Sequence, residues 1–237
     1  ILGYLPEGIK GIIVGSYRRK AESSGDIDVL IKIPEKYSKK EQKELFETIV
    51  ESMVEDEYMI DVLSQGVHFR LDWSSANEVG RKAAAANLAD IYAMGGTPLF
   101  ALALVGMPIK VLSNKTIAKI LEGGAEACRS AGIPIAGGHT IDSVEPIYGL
   151  VAIGIIDPQR VKSNASAQPG DVLILGKPLG VGILSAALKK DMLGPDGYRE
   201  MISNTTKLNS AGPDLAKISG VHALTDVTGF GLAGHTL

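Results

Sequence analysis

One cysteine in 237 residues excludes an internal disulfide, and a chain with so little thiol suits a reducing, cytosolic setting. That residue, Cys128, sits among Ala125, Ala127 and Ala131 at helical spacing and reads as a small core side chain. No apolar run approaches the roughly 20 residues a membrane-spanning helix needs, and no basic-then-apolar leader opens the chain, so no membrane partner and no export are expected. Positive charge is not in excess either. Lys and Arg number 24 against 27 Asp and Glu, a formal net charge of -3, which argues against nucleic acid as a partner; beyond Arg18, Arg19 and Lys20 there is no sign of a DNA-binding basic face. Aromatic residues make up only 5%, and His68, His222 and His235 lack metal-ligand spacing, so they read as ordinary polar residues. There is no internal repeat and no low-complexity tract.

What is present is a globular composition, 45% hydrophobic and 22% charged, in a length that supports two or three units. Residues 9–14 and 28–33 are apolar and β-branched and predict short strands, the first broken by Gly15-Ser16. Residues 38–56 carry apolar positions at helical spacing, with Ser38 as N-cap. Extended pieces are expected at 58–63 and 67–71, and an alanine-rich helix at 77–94 ending at Gly95-Gly96. Residues 99–105, 133–136 and 148–156 predict strands around a helix at 113–131, with Gly132 as its stop. After a polar linker at 162–168, a buried strand at 171–175, a helix at 181–190 and a helical region at 197–218 are expected. The alternation predicts an α/β (α+β) protein. The chain opens at Ile1 without methionine and ends at Thr236-Leu237 as an apolar pattern begins, so a fragment is expected.

Two patterns carry chemistry. A polyphosphate needs metal ions held by carboxylates and backbone amides able to approach its oxygens, and glycines after a strand supply the second. Ile135-Ala136 leading into Gly137-Gly138-His139-Thr140 has that form, with Thr140 adding a hydroxyl. Asn87 and Asp90 lie one turn apart on a helix otherwise coated in alanine, a spacing that fits a helix-packing hydrogen bond as well as a metal ligand.

From Asn87 onward the chain resembles the selenophosphate synthetase family (selenide, water dikinase), within the PurM-like ATP-binding superfamily. The matching blocks are Asp90 to Gly96, Gly137-Gly138-His139-Thr140-Ile141-Asp142 with Glu145-Pro146, Lys177-Pro178-Leu179-Gly180 and Leu224 to Leu232, about 150 residues in the family's order. The resemblance implies a PurM-like N-terminal ATP-binding domain followed by the beginning of the C-terminal domain. It makes Asp90 and Asp226 magnesium ligands, and Gly137, Gly138, His139 and Thr140 the nucleotide contacts. The implied reaction uses ATP to phosphorylate selenide, releasing AMP and phosphate, in a homodimer formed through the N-terminal sheet. The family's reactive cysteine or selenocysteine with its lysine has no counterpart here, so ATP binding is expected to outlast turnover. Residues 61–90 fit thiamine-monophosphate kinase better, through Gln65 to Trp73 and the Asn87-to-Asp90 step, which adds Asp61 to the nucleotide and metal site.

Residues 8–66 resemble the palm of family X DNA polymerases, through Gly15-Ser16-Tyr17-Arg18-Arg19 and Asp26-Ile27-Asp28. In that reading Gly15, Ser16 and Arg18 meet a triphosphate, while Asp26 and Asp28, alternate residues on a strand, hold metal ions with Asp72 as third carboxylate. The expected division is a palm-like segment at 1–65, an ATP-binding domain at 66–162 and a truncated C-terminal domain at 163–237. Three functions compete: the dikinase-type phosphotransferase, a nucleotidyltransferase, and a non-catalytic chimeric remnant.

Overall fold

The computed structural model describes the backbone of residues 10–14, 28–32 and 61–64, together with residue 71 and residues 74–236. The chain divides into two compact units, Ile1–Asp61 and Val62–Leu237. In the first, β1 (Lys10–Val14) and β2 (Asp28–Lys32) pair antiparallel, with Val14 opposite Asp28. The helix expected at 38–56 and residues 67–70 of the extended piece expected at 67–71 lie outside the described residues, while Leu71 lies in a turn.

The second unit is built on a four-stranded sheet of order β3-β6-β4-β5. Its strands are β3 (Asp61–Ser64), β4 (Thr97–Met107), β5 (Ile135–Asp142) and β6 (Ile147–Ile155). Two helices cover one face, α1 (Ala76–Ala93) and α2 (Asn114–Ser130). Both have locally encoded ends. Ser75 and Glu78 form a capping box, Ser75 Oγ accepting from the Glu78 N–H at 3.3 Å and Glu78 Oε2 accepting from the Ser75 N–H at 2.9 Å. Ser113 caps α2 by accepting from the Thr116 N–H. Each helix stops in a Schellman motif: Gly96 N–H reaches the Ile91 carbonyl past Gly95 (φ 81°), and Ile133 N–H reaches that of Cys128 past Gly132 (φ 75°).

Alanine and glycine let these helices approach closely. A Cβ on Gly80 would lie 1.9 Å from the Ile120 carbonyl oxygen, and one on Gly123 2.0 Å from that of Asn77. Beneath them Val79, Leu88, Ile120, Cys128, Met107, Tyr148 and Leu150 form the buried core. Because α2 carries the chain from β4 back to β5, those strands run parallel, whereas β6 returns antiparallel to β4.

The C-terminal part adds α3 (Val181–Lys189), α4 (Pro195–Thr206), α5 (Gly212–Ala216) and α6 (Gly231–Thr236). One 3₁₀ turn, Pro158–Arg160, precedes the expected polar linker and a second, Asn164–Ser166, lies within it.

Three expectations need correction. The strand at 171–175 is absent: Val172, Leu173 and Ile174 are 82%, 72% and 88% exposed, and among the described residues no strand offers them a ladder. Asp171 instead closes a turn, its carboxylate accepting from the Gln168 N–H and meeting His222 Nδ1 at 2.8 Å. The helical region at 197–218 is two helices, because Lys207 adopts an extended backbone after α4 and Gly212-Pro213 starts α5 anew. Finally, Gly137 and Gly138 lie inside β5 and do not follow it.

Candidate functional site

The register of β4 against β5 and β6 decides what Gly137 to Thr140 present. Leu102 lies opposite Gly137, Ala103 opposite Gly138, Leu104 opposite His139 and Val105 opposite Thr140. Side chains alternate across a sheet. Ala101, Ala103, Val105 and Met107 face the helices with Tyr148 and Leu150 of β6, so Gly138 and Thr140 share that side. Gly137 and His139 share the opposite side with Leu102 and Leu104. Gly138 has φ 150°, and a Cβ there would stand 1.9 Å from the Ala103 carbonyl oxygen, so only glycine lets β5 lie against β4. All four residues are exposed on the edge strand of the sheet, where outward amides remain available to a ligand.

Asn87 and Asp90 separate on inspection of their partners. Asn87 is 6% exposed, and its Oδ1 accepts the Leu150 N–H at 3.0 Å, tying α1 to β6. Asp90, one turn later, is half-buried near the end of α1 and has an interaction of its own. Since α1 packs on β6 and β4 on the helix side, the two parts of the expected site come from different layers of one chain. Asp226, also half-buried and engaged, lies in the irregular segment before α6; there Thr225 Oγ1 donates to the Asp226 carbonyl at 3.0 Å. Next to it, the Thr228 N–H donates to His235 Nε2 at 3.1 Å, and the Phe230 ring lies 5.8 Å from that of His235. The side chains of Asp61 and Asp28 lie outside the described residues, as do Gly15, Ser16, Arg18, Asp26 and Asp72.

Among the described residues no group of three His, Cys, Asp or Glu side chains is gathered to hold a metal. Magnesium is commonly held by one or two carboxylates, several waters and the phosphates of the substrate. Asp90 and Asp226 each carry carboxylate oxygens, hard donors of the kind magnesium takes.

Cys128 is 1% exposed, and burial pushes its thiol up to about 11, so it is no nucleophile at neutral pH. Burial likewise pushes the Tyr148 phenol up; among the described residues its hydroxyl has no hydrogen-bond partner, and it fills the space beside Gly124. Lys177 donates from Nζ to the carbonyls of Asn204 (3.1 Å) and Lys207, holding the end of α4. Sequence reading missed the contact of Tyr198 with Glu78, whose Oε2 accepts the phenol at 2.8 Å across 120 residues; no local spacing signals such a pair.

Comparison with known proteins places this geometry. A family model described as AIR synthase related protein, N-terminal domain, matches residues 58–156, and its C-terminal domain counterpart matches residues 168–237. Selenide, water dikinase of Pseudomonas straminea is 71% identical over 160 residues, which is 68% of this chain and 45% of that protein. This stretch is homologous to selenide, water dikinase. The dikinase of Paraburkholderia xenovorans is 69% identical and that of Rhizobium meliloti 61%, each over 160 residues, with 45% and 46% of their lengths covered. The chain therefore spans about half the length of the curated relatives it matches. A crystal structure of thiamine monophosphate kinase from Aquifex aeolicus superposes with a TM-score of 0.61 at 21% identity, covering 83% of this chain and 69% of that one; a structure of AaThiL complexed with AMPPCP and TMP gives the same score and identity. The fold is thus PurM-like in both its N- and C-terminal domain regions. At the other end, a model described as DNA polymerase beta palm matches residues 2–86. Among the described residues no helix is long and apolar enough to cross a membrane.

Proposed function

We propose that the chain is an ATP-dependent phosphotransferase of the selenide, water dikinase type, converting ATP, selenide and water to selenophosphate, AMP and phosphate. The observation that carries this reading is the 71% identity to a dikinase over a stretch of 160 residues. Within it, Gly137, Gly138, His139 and Thr140 contact the nucleotide through the exposed edge of β5, and Asp90 and Asp226 bind magnesium, with Asp61 as a further ligand. When bound, magnesium neutralises charge developing on the transferred phosphate. The chain's own part is positioning: α1 carries Asp90 on a helix locked to β6 by Asn87, and Gly138 fixes β5 against β4.

The working unit in this proposal is a cytoplasmic homodimer. Its support is the sheet face turned away from the helices, where Phe100, Leu102 and Leu104 of β4 and Val151 and Ile153 of β6 are half-buried and apolar. A second sheet laid against that face would cover it. The proposed division keeps a palm-like segment at 1–65, the ATP-binding domain at 66–162 and a C-terminal portion at 163–237.

Cys128 cannot replace the reactive cysteine of the family, so ATP binding should persist where turnover is weak. The test is phosphorus NMR of the chain with ATP and magnesium, with and without selenide. Selenide-dependent AMP supports the reading. Calorimetry showing no heat with ATP and magnesium would refute even the binding step, and phosphate transfer to thiamine phosphate would move the assignment to the kinase. The palm match over residues 2–86 and the placement of Val14 opposite Asp28 support a second reading, nucleotidyl transfer by Asp26, Asp28 and Asp72 with Gly15, Ser16 and Arg18. Pyrophosphate release that depends on Asp26 and not on Asp226 would establish it.

A further inference from the structure

Between the start of α1 and one face of α4 lies an open cleft of about 560 Å³, a size that accommodates a small metabolite. Its walls are two helix faces. Arg199, Ser203 and Lys207 recur every four residues at α4 and its end, and Glu78 and Arg81 stand one turn apart on α1. Of the lining side chains Ile202 alone is aliphatic, and Arg81, Arg199 and Lys207 bring three cationic groups to its walls.

The cleft is also held in shape. Tyr198 on α4 donates to Glu78 on α1, and Lys177 holds the carbonyls at the end of α4. The same contacts occupy the only lining carboxylate: Glu78 Oε2 already accepts from both Tyr198 and the Ser75 N–H. Although burial opposes it, those hydrogen bonds and the nearby charge of Arg81 hold Glu78 below its usual range, so it remains charged and engaged. Arg199 pairs with Asp196 at the rim, while Arg81 and Lys207 have no carboxylate within salt-bridge distance among the described residues. Cations are crowded here as well. Lys177, which holds the end of α4, is depressed by burial and by its neighbour Lys207. Like charges held together on a folded surface are relieved by a bound anion.

We propose that this cleft is an anion site separate from the nucleotide segment of β5, taking a phosphate group between Arg81, Lys207 and Arg199. Guanidinium groups present paired N–H donors that match two phosphate oxygens, and the lysine adds a point charge. The room beyond one phosphate suits a small phosphorylated compound.

Amide NMR of the whole chain tests it, with orthophosphate and AMP titrated separately. Saturable shifts are expected at Arg81 and at 199–207, weakened at least ten-fold in Arg81→Gln/Lys207→Gln. Lys207→Gln alone, at an exposed position, should weaken them several-fold with no risk to the fold. Asp226→Asn should leave them in place, which separates this site from the proposed ATP site. Tighter binding of AMP than of orthophosphate would identify a nucleoside phosphate as the occupant, and the reverse order free phosphate. Absence of shifts on α4 with either probe, shifts confined to His139 and Thr140, or shifts undiminished in both variants would overturn the proposal.

Discussion

Asn87→Ala separates packing from ligand binding on α1. The Asn87 Oδ1 is the acceptor for the buried Leu150 N–H at 3.0 Å, and at 6% exposure of Asn87 no water can easily take its place. Alanine keeps the helix but strands that N–H, at a cost of about 1–3 kcal/mol. The vacated side-chain volume adds about 1 kcal/mol, so the total is roughly 2–4 kcal/mol. With a urea slope of about 2 kcal/mol per molar, the unfolding midpoint should fall by about 1–2 M. The assay is urea titration followed by far-UV circular dichroism, paired with calorimetry of ATP and magnesium. Asp90→Asn, one turn away, is the counterpart: its midpoint should fall by less than that of Asn87→Ala while the ATP heat weakens at least ten-fold. A parental midpoint in Asn87→Ala with ATP binding abolished would refute the reasoning and make Asn87 a ligand.

Two further outcomes follow from burial and backbone geometry. Gly138→Ala forces a Cβ to 1.9 Å from the Ala103 carbonyl at φ 150°, so β5 should detach from β4; we expect about 3 kcal/mol or more of lost stability and rapid amide exchange across 135–142, and parental protection there would contradict the placement. The Cys128 thiol, pushed up to about 11 from an ordinary 9, titrates later in the fold than in the unfolded chain. Its contribution to stability is therefore full below pH 9 and lost as the pH rises towards 11. A Cys128→Ala variant should show a flatter stability profile over that window, and thiol reagents should label the parent only as it unfolds.

Helix limits were legible in the sequence because their causes are local. The Ser75 and Glu78 pair, Ser113, and the glycines at 95 and 132 act within a few residues, and each end falls within about one residue of the expectation. Core strands were legible for a related reason: the apolar runs of β4 and β6 are long enough to need burial. Apolar character alone misled at 171–175, because a strand also needs a neighbour whose N–H and C=O groups complete its ladder.

What the sequence determined, then, is the order of elements, the relatives of residues 58–237 and the identity of the residues eligible for chemistry. Only the tertiary structure decided how they are used. It turned Asn87 into a strap for Leu150, set Gly137 and Gly138 inside an edge strand, with Gly137 and His139 facing away from the helices, and brought Tyr198 to Glu78 across 120 residues. The physical reason is common to all three: hydrogen-bond partners and sheet register join residues far apart in the chain, and no short-range pattern records which distant group will be opposite.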